Sequence, residues 1–155
     1  MIRRFLLASA LLITGTIVAA PSAFAVDGDV TFSGIVSGTC VFGSTPVAGS
    51  ITTSGANATS LSGTSATTDV TCNSPASLSV AAPVQDLGSI LTGTKTSSVA
   101  ASGTTLSANT TDTGTAITLV TGEKANLTVA MTAGNSGNII PADTYAYTVT
   151  LTATP

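Results

Sequence analysis

Histidine and tryptophan are absent from this 155-residue sequence, only 7% of its residues are charged, and cysteine occurs twice. Each shortage removes a class of function. Without histidine there is no common general base, no Ser–His or Cys–His pair and no ordinary zinc site. Without tryptophan, and with only two tyrosines, the aromatic platforms that proteins use to stack sugars are scarce. Four basic residues in the whole chain are too few to replace counterions on nucleic acid or an anionic membrane, so neither is expected as a partner. No amphipathic run of helical length occurs beyond residue 26, and no internal repeat of fixed period is visible, which leaves an all-β domain as the expectation.

What the chain has in abundance is hydroxyl. Thirty Thr and 19 Ser make up nearly a third of it. Disorder is the competing reading of such a composition, but 43% hydrophobic residues and a mean hydropathy of +0.53 are wrong for it. Sheets with one apolar face and one hydroxyl-covered face account for both numbers.

The N-terminus reads as a cleavable secretory signal over residues 1–25. Arg3 and Arg4 are followed by a mostly apolar Phe5 to Val18, and Ala23-Phe-Ala25 supplies the small-x-small cleavage pattern. A membrane anchor is the alternative, but the apolar run is shorter than the roughly 20 residues a crossing needs. The mature domain is expected to span residues 26–155, with no membrane span, and to pass through the periplasm to the cell surface or the medium. Removing the signal leaves Lys95 and Lys124 against seven acids, a formal charge of −5. In an exported chain the single pair Cys40 and Cys72 is expected to form a disulfide, since the spacing is not CxxC and no histidine is present to complete a metal site.

The longest alternation is the last run, Asp143 to Pro155. Tyr145, Tyr147, Val149, Leu151 and Ala153 share one face and Thr148, Thr150, Thr152 and Thr154 the other, so this stretch is expected to be the main core strand. A first strand is expected from Asp29 to Phe42, with Val30, Phe32, Val36, Cys40 and Phe42 in phase and Gly34 and Gly38 interrupting. Short strands are expected near Thr68–Cys72, Ala76–Ala82 and Ala116–Thr121, and along Leu127, Val129, Met131 and Ala133, while Gly43 to Gly63 reads equally as loops with a short strand near Val47–Thr53 or as a long flexible insertion. Pro83 to Leu91 reads equally as a helical turn, a strand or a loop, and Thr92 to Thr115 as a weak edge strand amid loops. The pattern points to an antiparallel β-sandwich, Greek-key or immunoglobulin-like.

Chemistry is sparse. A Ser–Lys pair would have to use Lys95 or Lys124, both in turn-like polar stretches. The carboxylates are scattered, and Asp27 with Asp29 lacks the downstream Glu of a calcium loop. Asn57, Asn109 and Asn126 begin N-glycosylation patterns of low specificity in so Thr-rich a chain. No catalytic residue, metal site or cofactor is expected.

Three stretches together look familiar: Val30-Thr-Phe-Ser-Gly-Ile-Val-Ser-Gly-Thr-Cys40, Asp69-Val-Thr-Cys-Asn73 and Pro141-Ala-Asp-Thr-Tyr-Ala-Tyr-Thr-Val-Thr-Leu-Thr152. In order and spacing they resemble subunits of the spore coat protein U and chaperone-usher pilin superfamily. The resemblance implies an immunoglobulin-like sandwich that lacks a strand, completed in transit by a periplasmic chaperone delivering to an usher, and in the assembly by a neighbouring subunit. Cys40 and Cys72 would then tie the first strand to its neighbour, and Tyr145, Tyr147, Val149 and Leu151 would border the groove that takes the donor. The sequence departs from that pattern in having only Val26 to Asp29 ahead of Val30 after cleavage, and Thr154 where an aromatic is usual. A terminal or accessory subunit, a self-completed coat-like protein, and assembly by another edge all remain open. The expected role is that of an exported structural or adhesive surface protein, and the alternative is a secreted module binding polysaccharide or a small ligand.

Overall fold

Alternation of apolar and hydroxyl side chains turns into strand after strand. The computed structural model describes residues 31–43 and 45–155; the expected signal segment and Val30 lie outside the described residues. Eleven strands follow in order: β1 (Cys40–Phe42), β2 (Ser50–Thr53), β3 (Ser60–Cys72), β4 (Ala76–Val80), β5 (Val84–Leu87), β6 (Lys95–Ser102), β7 (Ser107–Thr111), β8 (Ile117–Leu119), β9 (Lys124–Gly134), β10 (Ala146–Thr148) and β11 (Leu151–Thr154). No helix occurs among the described residues, so none there is long and apolar enough to cross a membrane.

Every pairing is antiparallel. The larger sheet runs β1-β3-β9-β6-β7, with β2 also on β3. β9 occupies one edge of β3 along nearly its full length, so β1 and β2 share the other edge. The bridge from Val47 to Thr67 joins them into one interrupted strand from Cys40 to Thr53. A second sheet has the order β11-β4-β8, and β10 pairs with β5. The two sheets face each other across a shared core, an arrangement consistent with a β-sandwich. Val70, Val99 and Leu127 on the larger sheet pack with Leu78, Ile117 and Leu119 on the smaller. Each fully buried side chain of this kind contributes about 1.5–3 kcal/mol.

The outward face of the larger sheet carries the hydroxyls. Thr52, Ser62, Thr132 and Thr96 stand side by side across β2, β3, β9 and β6, all exposed, and Thr96 and Thr132 hydrogen-bond through their hydroxyls at 2.7 Å. Its two charged residues, Asp69 and Lys124, lie 3.4 Å apart at the surface, where such a pair adds little stability.

Several expectations need correction. The first strand begins at Cys40 and not near Val30: Phe32 and Val36 precede it without regular structure and are exposed. Alternation there favours an extended chain, but no described strand pairs with it. The last run is not the main core strand. It breaks after Thr148 into β10 and β11 and lies at the edge of the smaller sheet, its alternate residues half-buried, while β3 and β9 form the centre of the larger one. Of the three readings open for Pro83 to Leu91, Val84–Leu87 takes the strand, while Lys124 and Ala125 belong to β9 and not to a turn. The stretch read as a weak edge contains β6, whose Val99 and Ala101 are buried between β9 and β7. Ser97 shares their buried face because its hydroxyl donates to the Ala81 carbonyl at 2.6 Å.

The disulfide joins Cys40 to Cys72 where the two residues pair directly across β1 and β3, with Cα atoms 4.1 Å apart. Replacing both by Ser should lower unfolding free energy by about 3 kcal/mol, and Leu127→Ala should cost about 2–5 kcal/mol. Chemical denaturation of the oxidised protein and of both variants measures each loss.

Candidate functional site

The site grows out of an unequal sharing of strand edges. β11 pairs with β4 from Leu151↔Val80 to Thr154↔Ser77, and β10 pairs with β5 from Ala146↔Leu87 to Thr148↔Val84. Between them the Ala81 amide donates to the Thr150 carbonyl at 2.9 Å, so β10 and β11 follow β4 and β5 as one broken ribbon. Their other edge has no partner among the described residues. Across from it runs the β1–β2 edge of the larger sheet, also without an outer neighbour there.

The two lips are separated by an apolar groove of about 340 Å³. Phe42, Val47 and Ile51 line it from the β1–β2 side, and Tyr147, Val149 and Leu151 from the last run. Val129 and Met131 of β9 form part of its floor, and Gly63 is needed there: a side chain on it would meet Met131 Cγ at 2.5 Å. No lining residue is charged. Buried in this wall are two hydroxyls with no hydrogen-bond partner, Thr68 Oγ1 and Tyr147 Oη. Burial, and secondarily the neighbouring Tyr145, hold the Tyr147 phenol above its ordinary pKa, so it is a neutral donor and acceptor at physiological pH.

Of the residues singled out in the sequence, Tyr147, Val149 and Leu151 come together in the groove, but Tyr145 does not. Its ring lies against Gly88, whose φ of +101° no bulky residue adopts easily, and its hydroxyl donates to the Pro141 carbonyl at 2.9 Å. Tyr145 instead lines a second, more polar cleft with Leu61, Ile140 and Asp143. Val36 lines neither cleft. The opposite lip, Val47 and Ile51, and the floor residue Met131 were not foreseen. The alternation of β9 placed Met131 on an apolar face, but only the pairing of β3 decides what that face meets.

Several ionisable groups among the described residues are committed to structure, while one buried carboxylate oxygen, Asp112 Oδ1, has no hydrogen-bond partner. Asp143 accepts from the Ser89 hydroxyl and amide, both at 2.7 Å, and from the Thr144 amide; these bonds hold its carboxyl below the usual range. Glu123 accepts from the Thr105 hydroxyl and amide and from the Leu106 amide, with the same effect. Lys95 donates to the Leu91 carbonyl at 3.0 Å, and Lys124 faces Asp69. No group of three potential metal ligands occurs among the described residues.

No protein-family model matches the chain, and neither a curated protein nor a solved structure resembles it closely enough to be matched.

Because Asp143 and Glu123 are more acidic folded than unfolded, their contribution is present at neutral pH and lost as pH falls through their lowered pKa values. Melting temperature followed against pH should show an acid limb that is shallower in Asp143→Asn and Glu123→Gln than in the parent.

Proposed function

We propose that the chain is an exported structural or adhesive subunit of a surface assembly, joined to its partners by strand addition. The observation that carries this reading is the unpartnered edge of β10 and β11 beside an uncharged apolar groove. An extended partner strand would satisfy the exposed amides and carbonyls of that edge and place alternate apolar side chains over Val149, Leu151 and Met131. On this reading the fold is an immunoglobulin-like sandwich short of one strand, which a periplasmic chaperone and usher would complete during export and another subunit afterwards. The disulfide and the expected secretory signal agree with that route.

A second reading rests on the size of the groove. At about 340 Å³ it lies at the low end of small-ligand pockets, and its two unpartnered hydroxyls would orient a mostly apolar guest. Under that reading the protein is a secreted binding module, with polysaccharide the less suitable ligand because only one aromatic of the stacking kind, Tyr147, lines the last-run lip.

Val47 is 62% exposed, so Val47→Asp should spare the fold while placing a charge on the groove lip. Self-association or chaperone co-purification, followed by size-exclusion chromatography, should fall by at least about tenfold in this variant and stay unchanged in Val120→Asp, which alters an exposed position outside the groove. Saturable binding to a glycan or small-molecule library by a strictly monomeric protein would favour the second reading instead.

A further inference from the structure

The second cleft, of about 580 Å³, shares only Ile51 with the groove, and its chemistry does not depend on strand addition. That volume is ordinary for a small-ligand site. Ile51, Leu61 and Ile140 give it apolar surface, Tyr145 an aromatic ring, and Thr52 and Thr53 hydroxyls. Hydrogen bonds fix its shape. The Ile140 amide donates to the Ala58 carbonyl at 2.8 Å and the Asn135 amide to the Thr59 carbonyl at 2.9 Å, tying the chain around Asn135 to Ile140 to the turn between β2 and β3. The bond from the Tyr145 hydroxyl to the Pro141 carbonyl holds the ring in place. A cleft so held gives up little freedom when it takes a guest.

Asp143 is the only charged residue that lines it. The Ser89 amide and hydroxyl donate to Oδ2, both at 2.7 Å, and the Thr144 amide donates to Oδ1 at 2.8 Å. These bonds orient the carboxylate and keep it ionised, but none of them neutralises it. A carboxylate has about four acceptor positions, so Oδ1 keeps one for a further donor. Among the described residues no cation answers the charge: Lys124 is paired with Asp69, and Lys95 donates to the Leu91 carbonyl. An oriented anion in a cleft with apolar and aromatic surface complements a guest with a single positive charge, an N–H to donate and an apolar body. A neutral sugar is a poorer match, since its hydroxyls would use the acceptor but leave the charge unanswered, and one ring offers little stacking area.

We propose that this cleft binds a primary ammonium group on a small apolar body, the ammonium donating to Asp143 Oδ1 and the body lying among Tyr145, Ile140 and Leu61. The acidic balance of the chain, −3 overall, draws such cations toward it. A free alkylamine and a lysine side chain of another protein offer the same chemistry, and the test separates them.

The test is isothermal titration calorimetry on the disulfide-bonded chain, with phenethylammonium as probe and phenethyl alcohol as its uncharged counterpart. The ammonium should saturate a single site with a dissociation constant on the order of 1 mM, and the alcohol should bind at least about tenfold more weakly. Asp143→Asn should weaken ammonium binding by about tenfold or more. Because Asp143 also holds Ser89, a second variant leaves those bonds alone. Ala142→Lys, at an exposed lining position, sets a tethered ammonium beside Asp143 and should abolish binding while the thermal melt stays unchanged. Asp86→Asn removes an equal charge from an exposed position outside the cleft and should bind as the parent does. Nα-acetyl-lysine amide distinguishes the sources: binding tighter than the aromatic amine assigns the cation to a lysine of a partner, weaker binding assigns it to a free amine, and either ranking supports the site. Equal affinity for alcohol and ammonium, undiminished binding in Asp143→Asn or Ala142→Lys, an equal loss in Asp86→Asn, or no saturable binding by the parent overturns the proposal and leaves strand addition standing.

Discussion

Ten residue pairs between β3 and β9 hold the two longest strands together, and the position of every other element follows from that ladder. It buries Val70, Ala125, Leu127 and Ala133 on one side and sets hydroxyls on the other, so it fixes at once which face of the sheet is core and which is solvent. β6 can join only the free edge of β9, and the β1–β2 ribbon only the free edge of β3. The register break between Gly63 and Ala66 gives Met131 room beside the glycine and lets it become part of the groove floor. An open lip on one side of the molecule is therefore the outcome of strand pairing at the opposite side of the same sheet.

The smaller sheet has no comparable spine. β4 is five residues long, β8 three, and the last run is broken in two. With β8 on one side of β4 and β11 on the other, the sheet ends at the last run, and the six-stranded sheet extends beyond it on the β1–β2 side. This mismatch in width is the physical origin of the groove. The disulfide stands at the first rung of the β1–β3 pairing and ties down the part of the lip that the fewest backbone pairs hold.

How much of this was legible in the sequence depends on what each residue pattern encodes. β9 was plain, because Leu127, Val129, Met131 and Ala133 alternate without interruption, and the sulfur bridge followed from a lone pair of cysteines. β3 was visible only from Thr68 onward: its first half has Leu61 as its one large buried residue, with glycine and hydroxyls for the rest, so its periodicity carries little apolar signal. β6 was underrated for a similar reason, since Ser97 enters the core on a hydrogen bond to Ala81 and Ala101 is small. The amphipathic character of Val30 to Val36 was read, but alternation states that a segment is extended and one-sided without naming its neighbour. The groove was legible by its last-run lip alone. Its other lip and floor arise from β2–β3 pairs 8 to 14 positions apart and β3–β9 pairs 53 to 74 apart, and the alternation of a single strand records neither partner.

The row Thr52, Ser62, Thr132 and Thr96 belongs to a surface wetted by neutral hydroxyls, with a single opposed pair of ions among them. Hydration of that kind is indifferent to counterions. Brine that would screen a lysine- and glutamate-coated shell, or acid that would discharge it, leaves this exterior as water-loving as before. The hydration of that face of the sheet therefore does not depend on ionic strength as a charged surface's does.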